Sequence, residues 1–196
     1  MVKTKFILMI ILLALVAKEG TMAQTHYRRI PAIELDYGTN VFGKANNFVA
    51  LSISKYISRK SYWKVGVNYF EKTFQYDIPI SGEEISSTSP VTTEEAFKDS
   101  KAKDWYLDGS YNYTIASNLK SIFWNIGIGA FIGTEYIKHP QKEYKFIIGP
   151  EIGTEVEFFV VPQVAILASM KEVWNPLSIH KWNTIWNIGV KVLLYK

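Results

Sequence analysis

Residues 121–134 read SIFWNIGIGAFIGT, and in this stretch large apolar residues alternate with small or polar ones. An alternation with a period of two places all the apolar side chains on one face of a β-strand. The apolar positions are Ile122, Trp124, Ile126, Ile128 and Ile132, and the positions between them include Asn125, Gly127, Gly129 and Gly133. The 14 residues exceed the average strand of about 5–6 and suit a tilted membrane-crossing strand, which needs about 9–11.

The same period of two recurs along the chain and predicts eight strands. They lie near 31–39, 47–57, 61–71, 104–115, 121–134, 143–157, 158–172 and 182–195. Short and longer connections alternate between them, and the longest runs from 72 to 103. Outer-membrane barrels show this alternation of short periplasmic turns and longer external loops. We therefore predict an all-β fold, an eight-stranded antiparallel up-and-down transmembrane β-barrel with residues 72–103 as a long external loop.

The N-terminus has the pattern of a secretory signal peptide. Lys3 and Lys5 precede twelve consecutive apolar residues, and small residues at Thr21 and Ala23 suit cleavage before Gln24. A transmembrane helix is the competing interpretation, but twelve residues span only about 18 Å of a hydrocarbon core about 30 Å thick. We predict a signal peptide at 1–23, export to the outer membrane, and a barrel at 24–196.

The polar face of the predicted strands decides which way the barrel faces. It carries about one charge per strand and is otherwise mostly Gly, Ser, Ala and Asn. Its charged residues are Glu34, Asp36, Lys55, Lys64, Asp108, Glu151, Glu155, Lys171 and Lys191. A water-exposed surface usually carries about 25–35% charged residues, so this face is predicted to line a narrow lumen with internal ion pairs. The alternative is a soluble, lipocalin-like barrel with the two faces reversed.

Aromatic residues on the apolar face support the membrane interpretation. Several stand toward the ends of the strands: Trp63, Tyr69, Trp105, Tyr113, Trp124, Tyr144, Trp182 and Trp186. Trp and Tyr collect at membrane interfaces because one part of the ring is apolar and the other prefers water. A barrel of eight strands is filled by its own side chains, so no conducting pore is expected.

The sequence predicts no catalytic, cofactor-binding or metal-binding residues. His26, His139 and His180 have no ligand partner at metal-site spacing, and the absence of Cys excludes disulfides and thiolate sites. Gly127, Gly129 and Gly133 resemble a dinucleotide-binding motif only superficially, because they lie within a strand with no helix after it. Lumenal packing explains them better.

Two other acidic groups have simple explanations. Glu151 and Glu155 share a face, and the sequence favours ion pairing with Lys145, Lys171 or Lys191 over paired acid–base catalysis. Solvation accounts for the carboxylates of the predicted long loop, which are Glu83, Glu84, Glu94 and Glu95. Without the signal peptide the formal net charge falls from +4 to +2, which gives no support for direct nucleic-acid binding.

The chain resembles the conjugative transposon protein TraO family of Bacteroides-type mobile elements. The resemblance covers nearly all of the mature chain and rests on IELDYG at 33–38, YWKVGVNY at 62–69, YNY at 111–113, NIGIGAFIGTEY at 125–136, GPEIG at 149–153 and NIGVK at 187–191. It implies an outer-membrane or envelope component of a DNA-transfer apparatus. The family has no known catalytic residues to carry over.

The leading hypothesis is therefore an outer-membrane structural component of a conjugative DNA-transfer apparatus. Its expected partners are outer-membrane lipid and other proteins of the apparatus, with no direct nucleic-acid contact and no small-molecule substrate. The alternative is a general small outer-membrane barrel, an adhesin or envelope-stability protein with no transfer role. A barrel enzyme is the third hypothesis, but the loops show no convincing set of catalytic side chains, and we expect the chain not to be an enzyme.

Overall fold

Eight antiparallel strands form a closed barrel in the computed structural model, which describes residues 29–40, 47–77, 97–118, 120–138 and 142–194. The strands are β1 (Pro31–Asn40), β2 (Phe48–Tyr56), β3 (Ser61–Asp77), β4 (Phe97–Ser117), β5 (Ile122–Ile137), β6 (Glu143–Val161), β7 (Val164–Trp174) and β8 (Trp182–Leu193). Each strand pairs with its neighbours in sequence. Pairing of β1 with β8, from Ala32↔Leu193 to Asn40↔Ile185, closes the barrel. The predicted fold is confirmed.

Short turns stand at one end of the barrel, which we call the turn end, together with the start of β1 and the end of β8. Asn118 shapes the turn between β4 and β5, because its side-chain oxygen accepts hydrogen bonds from the amides of Lys120, Ser121 and Ile122 at 3.0, 2.9 and 2.9 Å. Asn favours turns through such side-chain bonds. Pro162 and Gln163 connect β6 to β7. The longer connections stand at the opposite end, the loop end.

Several boundaries differ from the sequence prediction, and β5 continues to Ile137, past its predicted end at 134. Residues 72–77 belong to β3 and residues 97–103 to β4, so both strands continue into the predicted long loop. Residues 78–96 lie outside the described residues, as does the predicted signal peptide at 1–23. The sixth strand also runs on to Val161, so the prediction of a seventh strand beginning near 158 is wrong.

Lys55 was predicted to face the lumen, and this prediction is wrong. Its neighbours Ser54 and Tyr56 are buried inside the barrel, and Lys55 is exposed on the outer face. The strict alternation of β2 places it in line with Ile53. The other eight charged residues of the predicted polar face do face inward, and they are buried or half-buried. No helix long and apolar enough to cross a membrane occurs in the described part of the chain.

Candidate functional site: an apolar outer belt around a closed lumen

A broad apolar belt surrounds the barrel on its outer face. Outward-facing side chains in mid-strand keep about half or more of their surface exposed, for example Leu51 at 54%, Val65 at 59% and Ile128 at 64%. A folded monomer in water rarely exposes a contiguous apolar patch above a few hundred Å². This surface is therefore made to contact an apolar medium or another apolar surface.

Aromatic side chains stand at both margins of the belt. Near the turn end Trp63 packs against Tyr111, with ring centroids 5.2 Å apart. Near the loop end three cross-strand pairs face outward, with centroid separations of 4.9, 4.9 and 6.2 Å: Tyr69–Trp105, Tyr136–Tyr144 and Trp174–Trp182. The eight aromatic residues predicted for the apolar face all lie on the outer face. The sequence prediction omitted Tyr136 and Trp174, although both share the alternation of their own strands.

A network of ion pairs fills the lumen on the turn-end side. The Lys191 ammonium lies 3.1 Å from Glu34, 3.0 Å from Glu155 and 2.6 Å from Glu157, and it is fully buried. Lys64 pairs with Glu155 at 2.9 Å and also with Glu34. Buried charges are costly unless they are paired in this way.

Two tyrosine hydroxyls complete this network. Tyr62 donates to Glu155 at 2.9 Å, and Tyr56 lies 3.4 Å from both carboxylate oxygens of Glu157. The Lys191 ammonium also lies 4.6 Å from the ring centroid of Tyr62, a cation–π geometry. Glu155 and Glu157 thus each face a tyrosine hydroxyl as well as the Lys191 ammonium.

Two further ion-pair groups lie closer to the loop end. Lys171 pairs with Asp108 at 2.5 Å and with Glu151 at 3.2 Å. Above them, Lys72 pairs with Asp104 at 2.5 Å and with Glu135 at 3.2 Å.

The β7–β8 connection covers this last group. Ser178 donates to Glu135 at 2.5 Å and accepts from Lys72 at 2.8 Å. The backbone amide of Ile179 donates to the same carboxylate at 3.3 Å. These bonds hold the connection over the loop-end opening of the lumen.

One layer of apolar side chains closes the turn-end side of the lumen, and a second lies between the Lys171 and Lys72 groups. The turn-end layer is built from Ala32, Tyr56, Tyr62, Phe123, Phe159, Ala165, Leu167 and Leu193. The loop-end layer is built from Phe48, Ala50, Phe70, Tyr106, Phe131, Ile147, Val173 and Ile185. The sequence prediction of a lumen lined mainly by small residues missed these aromatic layers. A polar cavity of only about 40 Å³ remains in the middle of the barrel, so the described lumen is packed.

The carboxylates Glu151 and Glu155 belong to different groups of ion pairs. Glu151 pairs with Lys171, whereas Glu155 pairs with Lys64 and Lys191. The predicted ion pairing with Lys171 and Lys191 is confirmed. The prediction for Lys145 is wrong, because Lys145 lies 3.6 Å from Glu143 near the loop end.

Sequence reasoning missed four charged residues of the lumen: Lys72, Asp104, Glu135 and Glu157. Lys72 had been assigned to the loop, and Glu135 to a connection, although both are in strand. Asp104 and Glu157 lie within predicted strands. All four continue the alternation of lumenal positions, which is the signal that would have found them.

The histidines and glycines named in the sequence analysis remain to be placed. His180 is exposed, and His26 and His139 lie outside the described residues. No group of three or more His, Asp or Glu side chains suited to a metal ion occurs where the chain is described. Gly127 and Gly129 face the lumen; a Cβ on Gly129 would come within 2.8 Å of the Cβ of Ser110. This crowding explains these glycines by packing inside the lumen.

Comparisons with known proteins agree with the fold and with the family resemblance. A family model described as conjugative transposon protein TraO matches residues 33–194. Neisserial surface protein A is similar in structure, with a TM-score of 0.54 and 13% identity over 84% of this chain and 95% of that one. The N-terminal β-barrel domain of Pseudomonas aeruginosa OprF has a TM-score of 0.51 and 11% identity over 85% and 98%. No curated protein sequence matches the chain.

Proposed function

Because the chain belongs to the conjugative transposon protein TraO family, we propose that it is an outer-membrane structural component of a conjugative DNA-transfer apparatus. The family match begins in β1 and ends just after β8, so the shared element is the barrel itself. The signal-like N-terminus at 1–23 supports export toward that membrane. Other proteins of the apparatus are the proposed partners, and no direct contact with nucleic acid is proposed.

The apolar belt bounded by aromatic residues is the observation that carries the membrane part of the proposal. On β5 the belt extends from Trp124 near the turn end to Tyr136 near the loop end. At about 3.3 Å per residue and a tilt of about 40°, this segment rises about 30 Å, close to the apolar band of about 25 Å on known membrane barrels. A soluble barrel with the faces reversed would instead expose the buried Lys191 and Glu157 to water.

The packed lumen supports a structural role. Three groups of ion pairs and two apolar layers occupy it, which favours a packed lumen over a channel. The lumenal carboxylates Glu155 and Glu151 are held by lysines and not poised as an acid–base pair. We propose that the chain is not an enzyme and that it acts through the surfaces it presents at the two ends of the barrel.

Loss of the protein from a donor cell is expected to abolish transfer of the mobile element. The reason is that a structural component cannot be bypassed when the apparatus must cross the outer membrane. Transfer should return when the full chain is supplied from a separate locus. The measurement is mating frequency, with growth and detergent sensitivity of the donor as controls.

Undiminished mating frequency in the deletion strain would contradict the transfer role. If that strain instead became detergent-sensitive or lost adhesion, the general barrel with an adhesin or envelope-stability role would replace it. Mating frequency, compared with detergent sensitivity and adhesion, therefore separates the leading hypothesis from its alternative.

A further inference from the structure

One sector of the loop-end rim places a lysine beyond an aromatic residue on three neighbouring strands. On β4, Lys103 lies two positions beyond Trp105 toward the loop end. Just after β5, Lys138 lies two positions beyond Tyr136, and just before β6, Lys142 lies two positions beyond Tyr144. All three lysines are exposed.

The strand register brings these lysines to the same stretch of rim. Lys103 is the partner of Tyr136, and Tyr136 is in turn the partner of Tyr144. Lys138 and Lys142 follow directly after the last pair of β5 and β6, Ile137↔Glu143. The three lysines therefore occupy one continuous sector, with Lys103 level with the Tyr136–Tyr144 ring pair and Lys138 and Lys142 beyond it.

Lys101 extends the sector along β4. It points outward like Lys103, is largely exposed and donates to Glu71 on β3 at 2.5 Å. This pair partly neutralises Lys101. No described carboxylate forms an ion pair with Lys103, Lys138 or Lys142.

The depth of the sector indicates what it contacts. Aromatic girdles mark the boundary between hydrocarbon and headgroups. Two residues of strand add about 6.6 Å of length, which carries an outward-facing lysine from that boundary into the headgroup layer. Lys chains also lie along apolar surface while their ammonium groups reach polar surroundings. Lipid headgroups are the molecules that lie against the barrel wall at this depth.

We propose that Lys103, Lys138 and Lys142, assisted by Lys101, bind the phosphate groups of a phosphorylated glycolipid in the outer leaflet. This inference rests on the proposed membrane insertion, with the loop end outward. Anionic headgroups carry the charge that such a sector attracts, at about 1 kcal/mol for each basic residue near the surface. The bound lipid would fix one side of the barrel against the outer leaflet.

The test compares two variants of the full chain purified in a non-ionic detergent. The loop-end variant is K101Q/K103Q/K138Q/K142Q. The matched control is K55Q/R59Q/K60Q/K120Q, which removes the same number of positive charges from exposed positions at the turn end. Binding of purified lipid A is measured by tryptophan fluorescence and native mass spectrometry, alongside lipid A stripped of its phosphates and inorganic phosphate alone.

The wild type and the turn-end variant should bind phosphorylated lipid A equally, and the loop-end variant about a hundredfold more weakly, as expected from about 1 kcal/mol for each of three lysines. Dephosphorylated lipid A should bind to all three proteins as weakly as phosphorylated lipid A binds to the loop-end variant. Inorganic phosphate at the same concentration should not compete. Gel mobility before and after boiling checks that each variant is folded. If the fourfold variant is not folded, the double variant K138Q/K142Q replaces it in the binding measurement.

Equal binding by the loop-end variant would overturn the proposal, and so would an equal loss in the turn-end variant. Full competition by inorganic phosphate would show an anion site that does not recognise the lipid. Normal lipid binding with reduced mating by the loop-end variant would assign these lysines to a protein contact. Lipid binding is measured on the purified, folded barrel and not by mating. A lipid-binding result that contradicts this inference would therefore not contradict the proposed transfer role.

Discussion

Replacing Lys191 with Met should lower the free energy of unfolding by about 3–5 kcal/mol, the usual cost of breaking a buried ion pair by removing one partner. Lys191 is fully buried and lies within 3.1 Å of Glu34, Glu155 and Glu157. Met keeps nearly the same length and removes the charge. The three carboxylates would then face one another with only Lys64 to neutralise them. The measurement is urea unfolding in lipid vesicles, followed by tryptophan fluorescence.

Lys101→Met is the matched control for this variant. Lys101 also pairs with a carboxylate, Glu71, but its side chain is 63% exposed. Exposed pairs contribute about 0–1 kcal/mol, so the control should unfold nearly as the wild type does. Adding Glu157→Gln to Lys191→Met should restore part of the lost stability, because it removes one of the unpaired charges. Equal stability of the Lys191 and Lys101 variants would contradict the lumenal network.

Replacing Ile128 with Arg should destabilise the barrel in lipid vesicles by about 2–4 kcal/mol, the cost of Arg on the lipid face near the bilayer midplane. Ile128 is 64% exposed, and it lies between Trp124 and Tyr136 near the middle of the outer face of β5. In water an exposed position of this kind would tolerate Arg within about 0.5 kcal/mol. The size of the effect therefore reports what surrounds the outer face.

The control for this variant is Thr134→Arg on the same strand and the same face. Thr134 lies next to Tyr136 at the loop-end margin of the belt, where Arg costs only about 0–1 kcal/mol. Both variants are measured by equilibrium unfolding in the same vesicles. Equal effects of the two substitutions would mean that the outer face does not cross a hydrocarbon layer.

The alternation in β5 shows why the fold could be predicted from the sequence. A strand with lipid on one side and a narrow lumen on the other must separate its residues strictly by face. Residues 121–134 do so with Ile and Trp against Gly and Asn. Because the other strands follow the same rule, their number and order could be read without a structure.

The alternation fades where a strand leaves the apolar belt, and there the prediction fails. The last part of β3 reads EKTFQYD and the first part of β4 reads FKDSKAKD, with few apolar residues on either face. These segments pair along their length, but their composition resembles that of a loop. Lys55 was misplaced for a related reason: a charge was assigned to the polar face although its position in β2 belongs to the outer one.

The lumenal network could be predicted only in outline. Inward-facing charges of both signs indicate ion pairs, but the sequence does not say which partners meet across the barrel. Lys191 on β8 reaches Glu34 on β1 only because the barrel closes, and Lys64 on β3 reaches Glu155 on β6 across the lumen. Strand number, stagger and tilt together determine such contacts. The aromatic layers could not be predicted, because Phe and Tyr suit the outer face as well as the lumen.

Gel mobility of the unboiled and boiled protein, taken from separated membranes, tests most directly whether this chain is an outer-membrane barrel. We expect a faster-migrating band before boiling, found in the outer-membrane fraction, because a closed barrel stays folded in detergent until it is heated. A single band of unchanged mobility in the soluble fraction would contradict membrane insertion. The apolar outer belt would then have to be covered by another protein surface.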